Sequence, residues 1–388
     1  MFNTLTETQA VWLSQMVLVL GFVLTFALGF LAQSTHFCTM GAVIDVFSYG
    51  SWTRACQVLV AMGVSMVGFA VFCAYGWVDP LKTLYATDRL YWLSDALGGA
   101  LFGVGMVLAS GCGNKTLVRM GTGNLKSWVV FLFMGFAALA TLKGITAVVR
   151  VNWLDTAFVK INGGVDLAHF MFGPRLSTIT YSLMRFANAE WILLGCGVGV
   201  MVIMVAWIMS LLTAPHEREL KRLRSFLPGV GVGLLITLAW GLSGYVGHVS
   251  EHPVTLEEAY LASSSGRIEA LSFVAPMAYL IDWLIYFSDQ SKFLNYGAVC
   301  ALGVIAGSFV SACLNGSLRW EGFGSPSDLG LHIIGAILMG VGGVLAMGCT
   351  FGQGISSLST LSINAMEVVI FIVLGAWMGF KIQLRALD

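Results

Sequence analysis

Long stretches of the chain carry no Asp, Glu, Lys or Arg. Five are uninterrupted: Thr8–Ile44, Trp191–His216, Ser225–Ser250, Phe293–Leu318 and Leu329–Met366. Each reaches or exceeds the roughly 20 residues an α-helix needs to cross a bilayer. With the apolar runs between them, the pattern predicts crossings near residues 12–33, 54–76, 95–111, 127–148, 189–213, 226–247, 294–314, 331–348 and 365–383. Segment 271–288 is also apolar, but Pro276 and Asp282 interrupt it, which leaves an interfacial helix or a tenth crossing. Four shorter, more polar stretches adjoin crossings: His36–Tyr49, Gly113–Leu125, Val254–Ser265 and Thr350–Ile363. They read as re-entrant half-helices, which are tolerated at membrane depth where they are buried in protein or line a cavity. The expected fold is an all-α polytopic membrane protein with about nine transmembrane helices plus re-entrant half-helices.

Composition strengthens this picture. The 388 residues are 57% hydrophobic and 10% charged, with mean hydropathy +0.85, against about 25% charge in soluble domains. Net charge is zero, so no electrostatic footprint for nucleic acid exists. The first apolar run, Met16–Ala32, has no Lys or Arg before it, since the first is Arg54. It therefore reads as a retained helix rather than a cleaved signal. The basic loop "HERELKRLRS" (His216–Ser225) belongs on the cytoplasmic side. Alternating crossings then place the N-terminus in the periplasm and the C-terminus in the cytoplasm.

Two stretches repeat. "GVGMVLASGC" (Gly103–Cys112) and "GVGGVLAMGC" (Gly340–Cys349) align at a constant offset of 237. In the orientation above, one copy enters the cytoplasmic half and the other leaves it. That predicts two inverted repeats, residues 1–215 and 216–388, within one integrated transport domain; inverted repeats are common in secondary transporters. The small residues suit close helix packing. Packing alone does not explain why each copy ends in Gly-Cys followed by polar, glycine-containing sequence. Such ends read as helices that break mid-membrane, where free N–H groups and partial positive charge suit an anion.

Eight cysteines occur without a CxxC pair, so zinc and thioredoxin-type redox sites are unsupported, and no metal, cofactor or catalytic residue is expected. Cys56, Cys73, Cys196, Cys300 and Cys313 lie inside apolar runs, where cysteine acts as a small hydrophobe. Cys38, Cys112 and Cys349 differ: each sits at a predicted helix break.

The stretches "HFCTMGAVIDVF", "LFGVGMVLASGCGNKTLVRMGTGNLKSW" and "LMGVGGVLAMGCTFGQGISSLS" resemble the three signatures of YeeE/YedE-type proteins, over nearly the whole chain. The resemblance implies a bacterial inner-membrane transporter of thiosulfate or a related small sulfur anion, with two related halves whose short helices meet at a constriction. It implies that Cys38, Cys112 and Cys349 line the path. Gly111, Gly113 and Gly348 flank the cysteines at the same breaks and are assigned to the path with them, as is His36, which either donates to the substrate or caps the half-helix. It also implies a small TusA-like sulfur-carrier protein as a cytoplasmic partner. Two departures stand out. Met347 occupies a position where the family often has a small residue. The second-half counterpart of His36–Cys38, around "GYVGHVSEHPV", has no cysteine, so Ser250, His248 or backbone must serve there.

Neutral thiols are weak donors suited to a soft sulfur acceptor, and a series of weak sites lets an anion enter and leave. Lys115, Arg119, Lys126 and Arg319 either attract the anion or follow the positive-inside rule. Asp45 is the acid to test for ion coupling, or faces water. The outer loop 149–188 is expected to cap the outer mouth. Competing readings are a membrane thiol or sulfur-transfer enzyme, another sulfur or selenium substrate, and an anchoring subunit.

Overall fold

The computed structural model describes residues 6–87, 89–160, 192–213, 219–289 and 293–385. Its helices are α1 (Glu7–Thr35), α2 (Thr39–Tyr49), α3 (Thr53–Ala74), α4 (Trp92–Leu108), α5 (Gly113–Gly121), α6 (Leu125–Lys143), α7 (Ile145–Val149), α8 (Gly197–Thr213), α9 (Glu219–Gly241), α10 (Ala275–Ile285), α11 (Tyr296–Leu314), α12 (Pro326–Leu345) and α13 (Ile363–Arg385). A π-helical turn, Gly352–Ser357, lies between α12 and α13. Extended structure among the described residues amounts to two antiparallel pairs of two-residue strands, Arg89–Leu90 with Val159–Lys160 and His248–Val249 with Ala259–Tyr260.

Nine spans among the described residues are long and apolar enough to cross a membrane, and they fall where the hydropathy pattern puts them. The chain is an all-α polytopic membrane protein. Large apolar side chains face outward along the spans, among them Trp12, Val23, Phe136, Met204, Leu238 and Ile370. Such a surface is stable against lipid rather than water. Polar caps start several helices: Asn124 accepts from Ser127 N–H, Asn295 from Ala298 N–H and Ser325 from Asp328 N–H, as helix starts require.

Two expectations change. Val254–Ser265 is not a half-helix; it forms turns around the His248–Val249/Ala259–Tyr260 pairing. Its Pro253, serines and glycine favour turns over helix. The short helix of this region is α10, inside the segment 271–288, and its 11 residues are too few to span a bilayer. Pro276 does not interrupt this helix but starts it, in the first turn, where its missing N–H costs nothing. Asp282 is paired with Lys143 at 3.0 Å. Of the outer loop 149–188, residues 161–188 lie outside the described residues.

At the centre, α4 and α12 cross antiparallel on glycine. A Cβ on Gly98 would lie 2.8 Å from the Gly342 carbonyl oxygen, and one on Gly342 2.6 Å from the Gly98 carbonyl oxygen. Gly105 and Gly335 face each other in the same reciprocal way, at 2.6 and 2.7 Å. Around this crossing, Gly103 rests on the α13 backbone at Ile372 and Ala376, and Gly340 on the α6 backbone at Met134 and Ala138. Only hydrogen fits at these points, so backbones approach closely and the helix ends beside the crossing are held rigidly.

Candidate functional site

Three helices end in the same way, and a cysteine follows each. At the end of α1, His36 takes left-handed φ 55 and Phe37 N–H bonds the Ala32 carbonyl at 3.2 Å. At the end of α4, Ser110 has φ 54 and Gly111 N–H bonds the Met106 carbonyl at 2.9 Å. At the end of α12, Met347 has φ 52 and Gly348 N–H bonds the Gly343 carbonyl at 2.8 Å. This is the Schellman turn, whose left-handed position is usually glycine.

The chain then turns back into a short helical segment, and at two of the three the thiol serves its first turn. Cys38 Sγ accepts from Gly41 N–H at 3.1 Å, and Cys349 Sγ from Gly352 N–H at 3.3 Å. Cys112 holds the same N-cap position of α5, but its side chain makes no capping hydrogen bond. The sulfurs of Cys38 and Cys349 thus occupy the place where a Ser or Asp oxygen usually caps a helix. An accepting sulfur still has its S–H to donate. All three thiols are buried and free.

These segments converge. Thr39 Oγ1 lies 3.4 Å from Cys112 Sγ and 2.9 Å from Thr350 Oγ1. The Cys112 thiol also reaches the Cys38 thiol and the Thr350 hydroxyl. The Phe273 backbone, just ahead of α10, approaches Cys349, and its ring meets Phe351 edge-on with centroids 5.3 Å apart. The cluster contains thiols, hydroxyls, helix N-termini and aromatic walls, but no charged side chain. Lys115, in the first turn of α5, is a cation whose field reaches Cys38. Two side chains fasten the breaks: Arg119 donates to the Ser110 carbonyl and Gln353 Nε2 to the Ala346 carbonyl, each at 2.7 Å.

The structure brings Cys38, Cys112 and the Cys349–Thr350 pair together. Gly111, Gly113 and Gly348 lie buried in the same turns. A Cβ on Gly111 or Gly113 would meet only ordinary contacts, while one on Gly348 would sit 3.1 Å from Gln353 Cγ. His36 caps α1 with its backbone and its side chain is exposed, outside the cluster. His248 bonds Glu258 at 2.7 Å in the loop region, away from the thiols. Asp45 pairs with Arg54 at 3.0 Å. Thr39, Thr350 and Phe273 were missed by motif reasoning. The signal for the threonines was the recurring Cys-Thr dipeptide at residues 38–39 and 349–350.

A cavity of about 230 Å³ opens against the Met347–Gly348 turn, with Ser272, Glu269, Tyr279 and Arg150 on its walls. It shares Ser264 and Tyr279 with a wider groove of about 960 Å³ that runs past Glu7, Lys143 and His252. The cavity stops at Gly348, the residue before Cys349, and within the cluster the Thr39 and Thr350 hydroxyls touch.

A family model described as Sulphur transport matches residues 34–378, a stretch containing all three cysteine-bearing breaks. The chain belongs to the sulphur transport family. Proteins similar to it include the one named thiosulfate transporter TsuA of Escherichia coli K12, 25% identical over 366 residues, covering 90% of each chain. TsuA of Spirochaeta thermophila is 22% identical, covering 92% of this chain and 96% of its own. The protein named probable transporter YedE of E. coli K12 is 31% identical over 115 residues, 29% of this chain and 27% of its own.

Proposed function

We propose that the protein carries thiosulfate across the bacterial inner membrane into the cytoplasm, by way of Cys38, Cys112 and Cys349. The observation that carries this reading is the meeting of three buried cysteines, each at the start of a short helical segment, in one uncharged cluster. Thiosulfate has a soft, weakly hydrated terminal sulfur, which suits S–H donors. Its charge is met by the partial positive ends of short helices. A full cation there would hold a dianion too long for passage. Names of relatives that align over 90% or more of this chain support the substrate, and they favour transport over thiol exchange.

In this reading, the touching Thr39 and Thr350 hydroxyls are the closed constriction. The cavity beside Met347 is the vestibule on the N-terminal, periplasmic side, with the C-terminus in the cytoplasm. The repeat offset relates Gly98 to Gly335 and Gly105 to Gly342, so it exchanges the contacts Gly98–Gly342 and Gly105–Gly335, which supports inverted halves at 1–215 and 216–388. A small TusA-like carrier would receive the sulfur species at the cytoplasmic mouth.

The test is growth on thiosulfate as sole sulfur source in a bacterium lacking its own thiosulfate and sulfate importers. The intact protein should restore growth, and Cys112→Ala at equal membrane abundance should not. No growth with a well-expressed intact protein would remove thiosulfate import.

A further inference from the structure

Asp95 lies in the first turn of α4 and is completely buried, at 0% exposure. Neither of its carboxylate oxygens has a hydrogen-bond donor. The groups facing it are the Asn364 side chain on α13 and two further acids, Glu367 on α13 and Asp155 beyond the π-helical turn Arg150–Leu154. Asp155 itself is paired with Arg150 at 3.4 Å. Asn364 Oδ1, buried as well, is also without a partner. An ionised carboxylate here would have no cation of its own and would face the acids Glu367 and Asp155, with Asn364 the neutral polar group beside it. The site accommodates the acid with its proton on.

The position related by the offset of 237 shows the contrast. There His332, also buried, bonds the Asp328 backbone carbonyl at 2.8 Å and pairs with the Asp328 carboxylate at 3.0 Å. Asp328 is in turn tied to Lys126 at 2.7 Å. One site is fully partnered; the other holds a bare acid.

Asp95 is also placed to feel the thiol cluster. Its neighbour Ser94 donates to the Leu345 carbonyl, in the last turn of α12 before Cys349. One turn further on, Gly98 packs against the Leu345–Ala346 backbone. Asn364 lies in the first turn of α13, where the chain leaves the segment that Cys349 caps. Asp95 therefore faces the helix leaving the Cys349 break, and its neighbours Ser94 and Gly98 touch the helix entering it.

We propose that Asp95 is a proton-binding site that couples anion entry to the inward movement of a proton. The carboxylate takes one proton from the outer side and releases it to the inner side, and no bond to the anion is made. This rests on the transport reading above.

The test uses the purified full-length protein in liposomes, with the membrane potential clamped and labelled thiosulfate as probe. An inward gradient of one pH unit should accumulate thiosulfate up to about tenfold, the limit for one proton per anion. Asp95→Asn, a neutral mimic of the same size, should lose this response and keep thiosulfate counterflow. Infrared difference spectra should show a protonated carboxyl band in the wild type that is absent in Asp95→Asn. The proposal is overturned if Asp95→Asn still responds to the gradient, or if the band persists in it. It is equally overturned if the wild type responds to a sodium gradient instead. Loss of counterflow in Asp95→Asn, with Asp95→Glu failing to restore the gradient response, would make Asp95 structural and overturn it too. A wild type without counterflow would defeat the transport reading itself, and the coupling with it, while the infrared band still reports on Asp95.

Discussion

Helices in this protein end in two ways that share one hydrogen-bond pattern. At the periphery, α3 and α11 end on Gly76 and Gly316, with left-handed φ of 70 and 60. The next N–H bonds back five residues, Trp77 to Phe72 and Ser317 to Ala312, each at 2.9 Å. Beside the three thiols, the same turn is made by His36, Ser110 and Met347. A side chain in this conformation costs about 1 kcal/mol relative to glycine. The unstrained solution is available elsewhere in the same chain, yet all three cysteine turns use a side chain there; among the described residues Leu256, Ala262 and Leu361 are the other non-glycine residues with left-handed φ. Strain concentrated at such places marks a functional constraint. At Met347 the side chain also walls the cavity, which glycine would not do.

The comparison can be broken most severely at Arg119. Its guanidinium is the fastener of the Ser110 turn, and a hydrogen bond from a charged group is worth about 1.5–3 kcal/mol. Arg119→Met should lower unfolding stability in detergent by that amount and abolish thiosulfate-dependent growth, because Cys112 loses its aim. A stable, fully active variant would show that the turn holds itself.

At the periphery, Gly316→Ala meets no neighbour within 4 Å, so its cost is conformational only. A loss of about 1 kcal/mol with uptake unchanged is expected. At the centre the sign should reverse. Met347→Gly should gain up to about 1 kcal/mol in thermal unfolding and reduce transport selectivity, measured by competition with sulfate. If it gains nothing, the left-handed turn is not strained.

The smallest effect lies in the loop region. The Lys82 ammonium, hydrogen-bonded at 2.7 Å, and secondarily His248, hold the Glu258 carboxyl below the usual carboxylate range. A lowered folded value gives stability that is present above the ordinary glutamate range and lost as pH falls through the lowered value. The pair is exposed, so at most about 1 kcal/mol is at stake. Glu258→Gln should match the wild type in acid and fall slightly below it near neutral pH, in thermal unfolding followed across pH.

Much of this was legible in the residues. The charge-free runs marked the nine spans, because a bilayer demands length and apolarity that composition reveals directly. The Gly-Cys ends marked two breaks, and "THFC" the third. The fourth short segment was misplaced. Polar "EHPVTLEEAYLASSSG" resembles the other half-helix sequences in composition, yet it makes turns, while the apolar run from Ala275 makes the helix. Composition does not show which stretch is buried. Thr39 and Thr350 were written in the chain beside their cysteines, but their hydrogen bond joins residues 311 apart.

By itself, the sequence determined the class of the molecule, its spans, its repeat and the three cysteines, since these depend on local length, apolarity and residue type. The tertiary structure decided that Cys38 and Cys349 cap their own helical segments and that the three cysteines meet. It decided that His36 stays outside the cluster, that Asp45 is spent on Arg54, and that Asp95 stands without a partner. Those outcomes depend on how the helices pack against one another, and a contact between segments has no signature in either segment alone.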